Sequence, residues 1–402
     1  MAADYAGKVP PPECAPSTGK RIAVVGGGPG GLSSAYYLQL MGHQTTVFEM
    51  LPKLGGMLRY GIPNYRLPKD RLDEDIQAIL ETGVQVEFGK RIGKDITIQS
   101  LRQEYDAVLI SIGASTDKKL GIEGEHAEGV ISAVSFLRDV GENKSPDLTG
   151  QEVAVIGGGN VSMDAVRTAK RLGAKKVSIV YRRRTADMTA LPAEIEGAVA
   201  EGIEVLTLKA PSRIETNENG HVSGIYVTPQ MISKIKDGRA SVCPTGEDFL
   251  IPCQTLIVAI GQDIESEHFA EAGVPVSRGK IMTERYGGFD NIPGVFAGGD
   301  CASGPASVIK AIAAAKVVAA NIDEYLGYHH TLTCEAVVPE PKENMRDLMG
   351  RTEIGERPAN IRKKDFEHVE ELLTHEEAMQ EACRCLRCDH FGCGAMVGGR
   401  DL

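Results

Sequence analysis

Residues 21–31 read Arg-Ile-Ala-Val-Val-Gly-Gly-Gly-Pro-Gly-Gly, followed at 32–41 by Leu-Ser-Ser-Ala-Tyr-Tyr-Leu-Gln-Leu-Met. An apolar run that enters a glycine cluster reads as a buried strand, a tight turn and then a helix over Leu32–Met41. A second strand, Thr45–Phe48, ends on Glu49, with seventeen residues between Gly31 and that carboxylate. Unpaired N–H groups at a helix N-terminus, with the helix dipole behind them, suit a pyrophosphate, and glycine lets the backbone approach it. Gly26 makes the turn, Gly28 leaves room for the phosphates with Pro29 and Gly30 beside it, and Gly31 lets the helix pack on the strand. Glu49 can accept hydrogen bonds from an unphosphorylated ribose diol, such as that of FAD or NAD. The alternative is a glycine turn in an ordinary α/β domain. Strand, helix and acid in this order favour the nucleotide site.

The same unit recurs, and the repeat organises the chain. Val153–Ile156 reads as a strand that enters Gly157-Gly158-Gly159-Asn160-Val161-Ser162, with a helix to about Leu172 and a further strand Val177–Val180. Ser162 stands where the third glycine would. No acid follows the second strand; Tyr181-Arg182-Arg183-Arg184 follows instead. Guanidinium groups bind phosphate bidentately, so a 2′-phosphate and hence NADP over NAD is expected, the alternative being a solvated basic loop. Apolar strands at Tyr105–Ile112 and Thr255–Ile260 close on Gly113 and Gly261. Gly294–Gly299 reads as a strand ending on a glycine pair, and Asp300 suits a ribityl chain or simply forms a turn. A helix from about Ser307 to Leu326 could aim its N-terminus at the flavin. Two sites together predict a resident flavin, an exchanging nicotinamide, and hydride passing between them.

Composition narrows the remaining choices. The 402 residues exceed one typical domain, and 42% hydrophobic with 25% charged content is ordinary for a globular chain. The 44 Lys and Arg against 55 Asp and Glu give a net charge of -11, so no basic field exists to condense on nucleic acid. No apolar stretch approaches the roughly 20 residues that span a bilayer, and residues 1–19 lack a signal-peptide core, so a cytoplasmic protein is expected. Residues 1–19 read as a loose arm that frays or lies across another subunit. Four of nine cysteines, Cys383, Cys385, Cys388 and Cys393, crowd the C-terminus. In a reducing compartment that crowding favours a metal or cluster over disulfides. Iron–sulfur ligation, structural zinc, and free or intermolecular thiols are the alternatives. Thr374 and Glu377 predict a capping box opening a short helix towards these cysteines. No C-x-x-C lies in the second nucleotide unit, which argues against a dithiol mechanism, and no histidine spacing points to a metal or a triad.

These motifs resemble the FAD- and NADP-dependent oxidoreductases typified by the glutamate synthase small subunit, the N-terminal half of dihydropyrimidine dehydrogenase, and the large subunit of the electron-bifurcating ferredoxin:NADP transhydrogenase. The resemblance rests on Gly26–Gly31 with Glu49, Gly55-Gly56-Met57-Leu58-Arg59-Tyr60-Gly61-Ile62-Pro63, Arg66-Leu67-Pro68-Lys69, Gly157–Asp164, Val180–Arg183, Ala259–Gln262, and Gly294–Asp300 with Gly304-Pro305. It implies FAD contacts at Glu49, Met57, Arg66, Ile92, Gly113, Asp300, Ser307, Val308 and Ile309. It implies NADP contacts at Gly157, Gly159, Asn160, Val161, Arg182, Arg183, Ala259, Ile260 and Gly261. A further basic NADP contact in that family falls near Thr189, which is not basic here. The family's N-terminal two-cluster domain is not expected from the short stretch before residue 20. Cys385-x2-Cys388-x4-Cys393 resembles three of its cluster ligands, with Cys383 the nearest fourth, which implies a [4Fe–4S] centre.

The expected fold class is therefore α/β with two Rossmann-like domains. The FAD domain is discontinuous (20–125 and 285–330), the NAD(P) domain is inserted (126–284), and residues 331–402 form a cysteine-rich tail. The expected function is an FAD-containing NAD(P)H oxidoreductase subunit that passes electrons to an iron–sulfur cluster and to partner redox subunits, with ferredoxin a candidate partner, as in a bifurcating transhydrogenase. The alternatives are a glutamate synthase small subunit, and a flavin-bearing assembly or redox-sensing module whose tail binds zinc.

Overall fold

The computed structural model describes residues 12–284, 287–331 and 350–384. Two five-stranded parallel sheets dominate it. The first runs in the order Val295–Ala297, Ala107–Ile110, Arg21–Val25, Gln44–Glu49, Gln85–Phe88. The second runs Val130–Ser132, Thr255–Val258, Glu152–Ile156, Lys176–Val180, Glu204–Leu206. Each glycine-loop strand sits third in its sheet, so the repeat read in the sequence is a repeat in space.

The inner strands Ala107–Ile110, Arg21–Val25, Thr255–Val258 and Glu152–Ile156 are covered on both faces, which is why they read as apolar runs. Side-chain alternation splits each strand between two cores. Ala23 and Val25 enter one cluster with Val108, Ile110 and Phe269, while Ile22 and Val24 enter another with Leu38, Leu109 and Ile322. In the second domain Val153 and Val155 pack with Phe136 and Met163, and Ala154 and Ile156 pack with Ile225 and Leu256. Gly31 is where the first helix meets its strand, since a Cβ there would overlap the Gly26 carbonyl.

Three expectations need adjusting. The chain crosses between domains through an antiparallel pair, Thr116–Asp117 with Gln262–Asp263. Leu120 and Ile122 already pack in the second domain, and Ile264, Phe269, Val274 and Ile281 pack in the first. The crossings thus fall near 117 and 263 rather than at 125/126 and 284/285, because the short segments after Asp263 carry apolar residues without a clear period. Residues 12–19 of the arm lie on the chain's own first domain, where Ala15 N–H donates to Leu40 O at 2.8 Å and Thr18 N–H to Gly42 O at 3.0 Å. The sequence reading also passed over an antiparallel sheet on the second domain, built on the long strand Val222–Lys236. That strand continues into a two-stranded hairpin with Arg239–Pro244.

The described part of the tail is a strap rather than a loose end. Val369 N–H donates to Tyr65 O at 3.0 Å in the first domain, and Arg362 Nε donates to Glu201 Oε1 at 3.1 Å in the second. The expected capping box is present: Thr374 Oγ1 accepts from Glu377 N at 3.2 Å and Glu377 Oε2 from Thr374 N at 2.8 Å, opening His375–Cys383. No helix among the described residues is long and apolar enough to cross a membrane.

Candidate functional site

A cleft opens at the C-terminal end of each sheet, where the connections on either side of the glycine-loop strand diverge, the usual ligand position in such folds. Gly26, Gly28, Pro29, Gly30, Glu49, Met57, Ile92, Gly113 and Asp300 line the first cleft. Gly31 lies beneath it in its packing role. The backbones of Gly28 and Gly56 face each other so closely that a Cβ on Gly56 would stand 2.7 Å from Gly28 Cα. The helix Pro29–Leu40 has no side-chain cap on its first amides. That bare, backbone-only cradle fits a pyrophosphate.

Glu49 is oriented by two main-chain donors, Gly27 N–H at 2.7 Å to Oε2 and Leu51 N–H at 2.8 Å to Oε1. Burial raises its carboxyl above the ordinary range, with these amides opposing the rise. Burial likewise raises Asp300, opposed by the Ala306 amide. Arg66 does not line the cleft. Its guanidinium turns to the second domain, 2.8 Å from Asp164 Oδ1 and 2.9 Å from Glu194 Oε1, because the loop that carries it is drawn there by the fully buried Tyr65 beneath the helix Asn160–Arg171. Ser307, Val308 and Ile309 stand at the first turn of the helix Val308–Tyr325, with Ser307 as its N-cap, rather than among the lining residues. Arg138, His268 and Tyr60 line the cleft without having been anticipated as contacts. Arg138 reaches over from the second domain, and its buried Nε has no hydrogen-bond partner. No local sequence signal marks that approach.

The second cleft brings together all nine expected residues: Gly157, Gly159, Asn160, Val161, Arg182, Arg183, Ala259, Ile260 and Gly261. The helix Asn160–Arg171 again lacks a side-chain cap. The arginine run divides. Arg184 is held bidentately by Asp187 at 2.8 and 2.9 Å, whereas Arg182 is exposed and the buried Nε of Arg183 has no partner. Guanidinium left open beside an uncapped helix start suits a phosphorylated nucleotide. Ala114 and Ser115 line the first cleft while Asp117 and Lys118 line the second, and Asp300 and Pro305 are divided in the same way. The two clefts therefore share a wall.

Cys14, Cys243, Cys253, Cys301 and Cys383 are all free thiols. Cys301 is closest in sequence to the first cleft, but it is fully buried, and burial pushes its thiol up to about 11. Cys383 is exposed at the end of its helix, and Cys385, Cys388 and Cys393 lie outside the described residues. Among the histidines, His43 Nε2 and His330 Nδ1 meet at Asp323 Oδ1, at 2.9 and 2.7 Å, which hydrogen bonding accounts for.

The sequence profile of the family described as pyridine nucleotide-disulphide oxidoreductase matches residues 20–315. The chain is 38% identical over 399 residues to the NADP(+)-dependent formate dehydrogenase subunit beta of Moorella thermoacetica, covering 95% of this chain and 56% of that one. It is 33% identical over 427 residues to the NADPH-Fe(3+) oxidoreductase subunit beta of Geobacter sulfurreducens, covering 94% and 63%. It is 33% identical over 328 residues to the glutamate synthase [NADPH] small chain of Escherichia coli, covering 77% and 69%. The chain thus spans less than two thirds of the length of the first two relatives. In fold it resembles Mycobacterium tuberculosis FprA in complex with NADPH, with a TM-score of 0.67 at 21% identity, covering 78% of this chain and 85% of that one.

Proposed function

Because the chain belongs to the pyridine nucleotide-disulphide oxidoreductase family, in its branch of FAD- and NADP-dependent oxidoreductases like the glutamate synthase small subunit, we propose that it is an electron-transfer subunit that takes hydride from NADPH and hands electrons on to partner redox subunits. The observation that carries this reading is the pair of clefts with a common wall, one ending in a buried acid and the other in arginines that make no ion pair among the described residues. Glu49 would orient the adenosine ribose of FAD, the uncapped helix would hold its pyrophosphate, and Asp300 would meet the ribityl chain. Arg182 and Arg183 would clasp the 2′-phosphate of NADP. A bound flavin accepts a two-electron hydride and can release electrons singly, which the protein residues alone cannot do.

The onward route we assign to the tail. The strap ends in a helix that delivers Cys383 at its exposed end, and four thiolates from the tail would hold a [4Fe–4S] cluster. The subunit-named relatives support a multisubunit setting, and a ferredoxin-linked assembly in which the flavin divides its electrons is the finer form of the proposal. Anaerobic titration of the purified chain with NADPH, alongside metal analysis, tests it. Bound FAD bleached by NADPH, with about four irons per chain, is the expected result. Zinc in place of iron reassigns the tail as a docking clip, and a flavin that neither nicotinamide reduces overturns the electron-transfer reading.

A further inference from the structure

One wall of the second cleft comes from an element that a glycine-loop domain does not require. The strand Val222–Lys236 pairs with Lys209–Thr216 and Phe249–Pro252 in its first part, but beyond Gln230, whose N–H donates to Leu208 O at 2.8 Å, its one ladder partner among the described residues is Arg239–Pro244. An isolated two-stranded ribbon is marginal in water. Asp237 and Gly238 turn it with φ of 50° and 76°, the left-handed pair that a two-residue hairpin turn demands.

The tip is clamped at two main-chain points. Arg184 Nη2 donates to Gly238 O at 3.2 Å, and Ala240 N–H donates to Asp187 Oδ1 at 2.9 Å. Asp187 is the same carboxylate that holds Arg184, and its side chain is fully shielded from solvent. The clamp therefore binds the ribbon to the stretch immediately after Arg182 and Arg183. Between the two clamped residues lies Arg239. Ala240 is buried against the domain, and the neighbouring Arg239 takes the opposite face, where it is exposed and lines the same cleft as Arg182 and Arg183.

The electrostatics of this corner are unbalanced. Neither Arg182 nor Arg239 makes an ion pair among the described residues, and the buried Nε of Arg183 is unpartnered. Asp117, on the crossing strands, is the one carboxylate among the described residues that line the cleft. Three guanidinium groups that share one cleft with a single carboxylate are short of countercharge, and a phosphate dianion supplies it.

We propose that the hairpin forms the outer wall of the 2′-phosphate pocket, that Arg239 is a specificity-determining residue for the phosphorylated nucleotide, and that Arg184 and Asp187 are positioning residues which hold it there. This rests on the reading of the second cleft as an NADP(H) site. Arg184, the third arginine of the run, thus acts through the hairpin instead of facing the ligand.

Calorimetric binding of adenosine 2′,5′-bisphosphate and of adenosine 5′-monophosphate to the full chain tests it, since the two probes differ only in the 2′-phosphate. The unsubstituted chain prefers the bisphosphate. Arg239→Ala lowers bisphosphate affinity roughly tenfold and leaves monophosphate affinity within about twofold, and Arg239→Lys recovers part of the loss. Asp187→Asn lowers the same ratio, and adds little in the Arg239→Ala background. Because Arg239 is exposed, its variants keep the test usable if Asp187→Asn fails to fold. A bisphosphate affinity unchanged in Arg239→Ala but lost in Arg182→Ala overturns the proposal and leaves the cleft reading intact. Equal binding of the two probes by the unsubstituted chain overturns both.

Discussion

Single residues divide sharply by whether their role is local. That Glu49 and the glycines meet at one cleft could be read from order alone, because strand, turn, helix and acid are consecutive. Arg138 could not, since it belongs to the second domain's helix Ala133–Gly141 and meets the first cleft only after the domains pack. Its buried, unpartnered Nε is a donor waiting for an acceptor. Arg138→Met, which keeps volume but removes the donor, is expected to weaken FAD roughly tenfold and to leave adenosine 2′,5′-bisphosphate binding unchanged. Flavin absorbance per chain after dialysis, with a reconstitution titration, checks both halves. The arginines of the second cleft carry the complementary prediction. Arg182→Ala with Arg183→Ala should cost NADPH binding about 1.5–3 kcal/mol per lost phosphate contact and NADH binding far less. Equal losses for both would remove these arginines as the discriminator.

At the scale of elements, what was legible is what has a period or a cap. The two glycine-loop strands, their helices and the Thr374–Glu377 capping box stand where the sequence places them. The hairpin did carry a signal, since Asp237-Gly238 between strand-like runs is a turn dipeptide. The large apolar residues of its first strand, Met231, Ile232 and Ile235, are all exposed, so the usual alternation of buried and exposed sides is lost along that strand. The Tyr65–Arg66 loop shows the limit of motif matching: the motif brings the loop near the first cleft, but side-chain direction is set by what lies across the domain junction. Tyr65 is buried under the guanidinium of Arg171, 4.0 Å from its ring centroid, and Arg66 follows it to Asp164. Arg66→Ala is therefore expected to retain FAD while destabilising the chain by about 3 kcal/mol, because Asp164 is left buried without the Nη1 donor shared by both its oxygens. Flavin content and denaturant unfolding on one preparation separate this from a direct flavin contact, which would cost flavin first.

The whole molecule is closed by its own tail, and the closure is electrostatic at its centre. Glu201 has no solvent exposure, and Arg167, Arg171 and Arg362 all donate to it, at 2.8, 2.6 and 3.1 Å. Burial alone would raise its carboxyl; the hydrogen bonds of Arg171 and Arg167 outweigh that and hold it below the ordinary range. Two of these cations belong to the second domain's own helix, and the tail supplies the third. The consequences of breaking the cluster are therefore unequal. Glu201→Gln leaves three guanidinium groups without their common anion and should cost about 3–5 kcal/mol. Arg362→Met leaves Glu201 with Arg167 and Arg171 and should cost less, but it releases the strap's anchor on the second domain and leaves the one at Tyr65, where Val369 N–H and the Phe366 ring meet it. Limited proteolysis distinguishes a strap from a passive cover. In Arg362→Met, cleavage should become faster within 350–384 while the two sheet domains resist as before, and flavin reduction by NADPH should proceed unchanged, since neither cleft borrows a described tail residue. Slower flavin reduction in this variant would instead mean that the tail sets the angle between the two clefts, and that electron entry and electron exit are mechanically coupled.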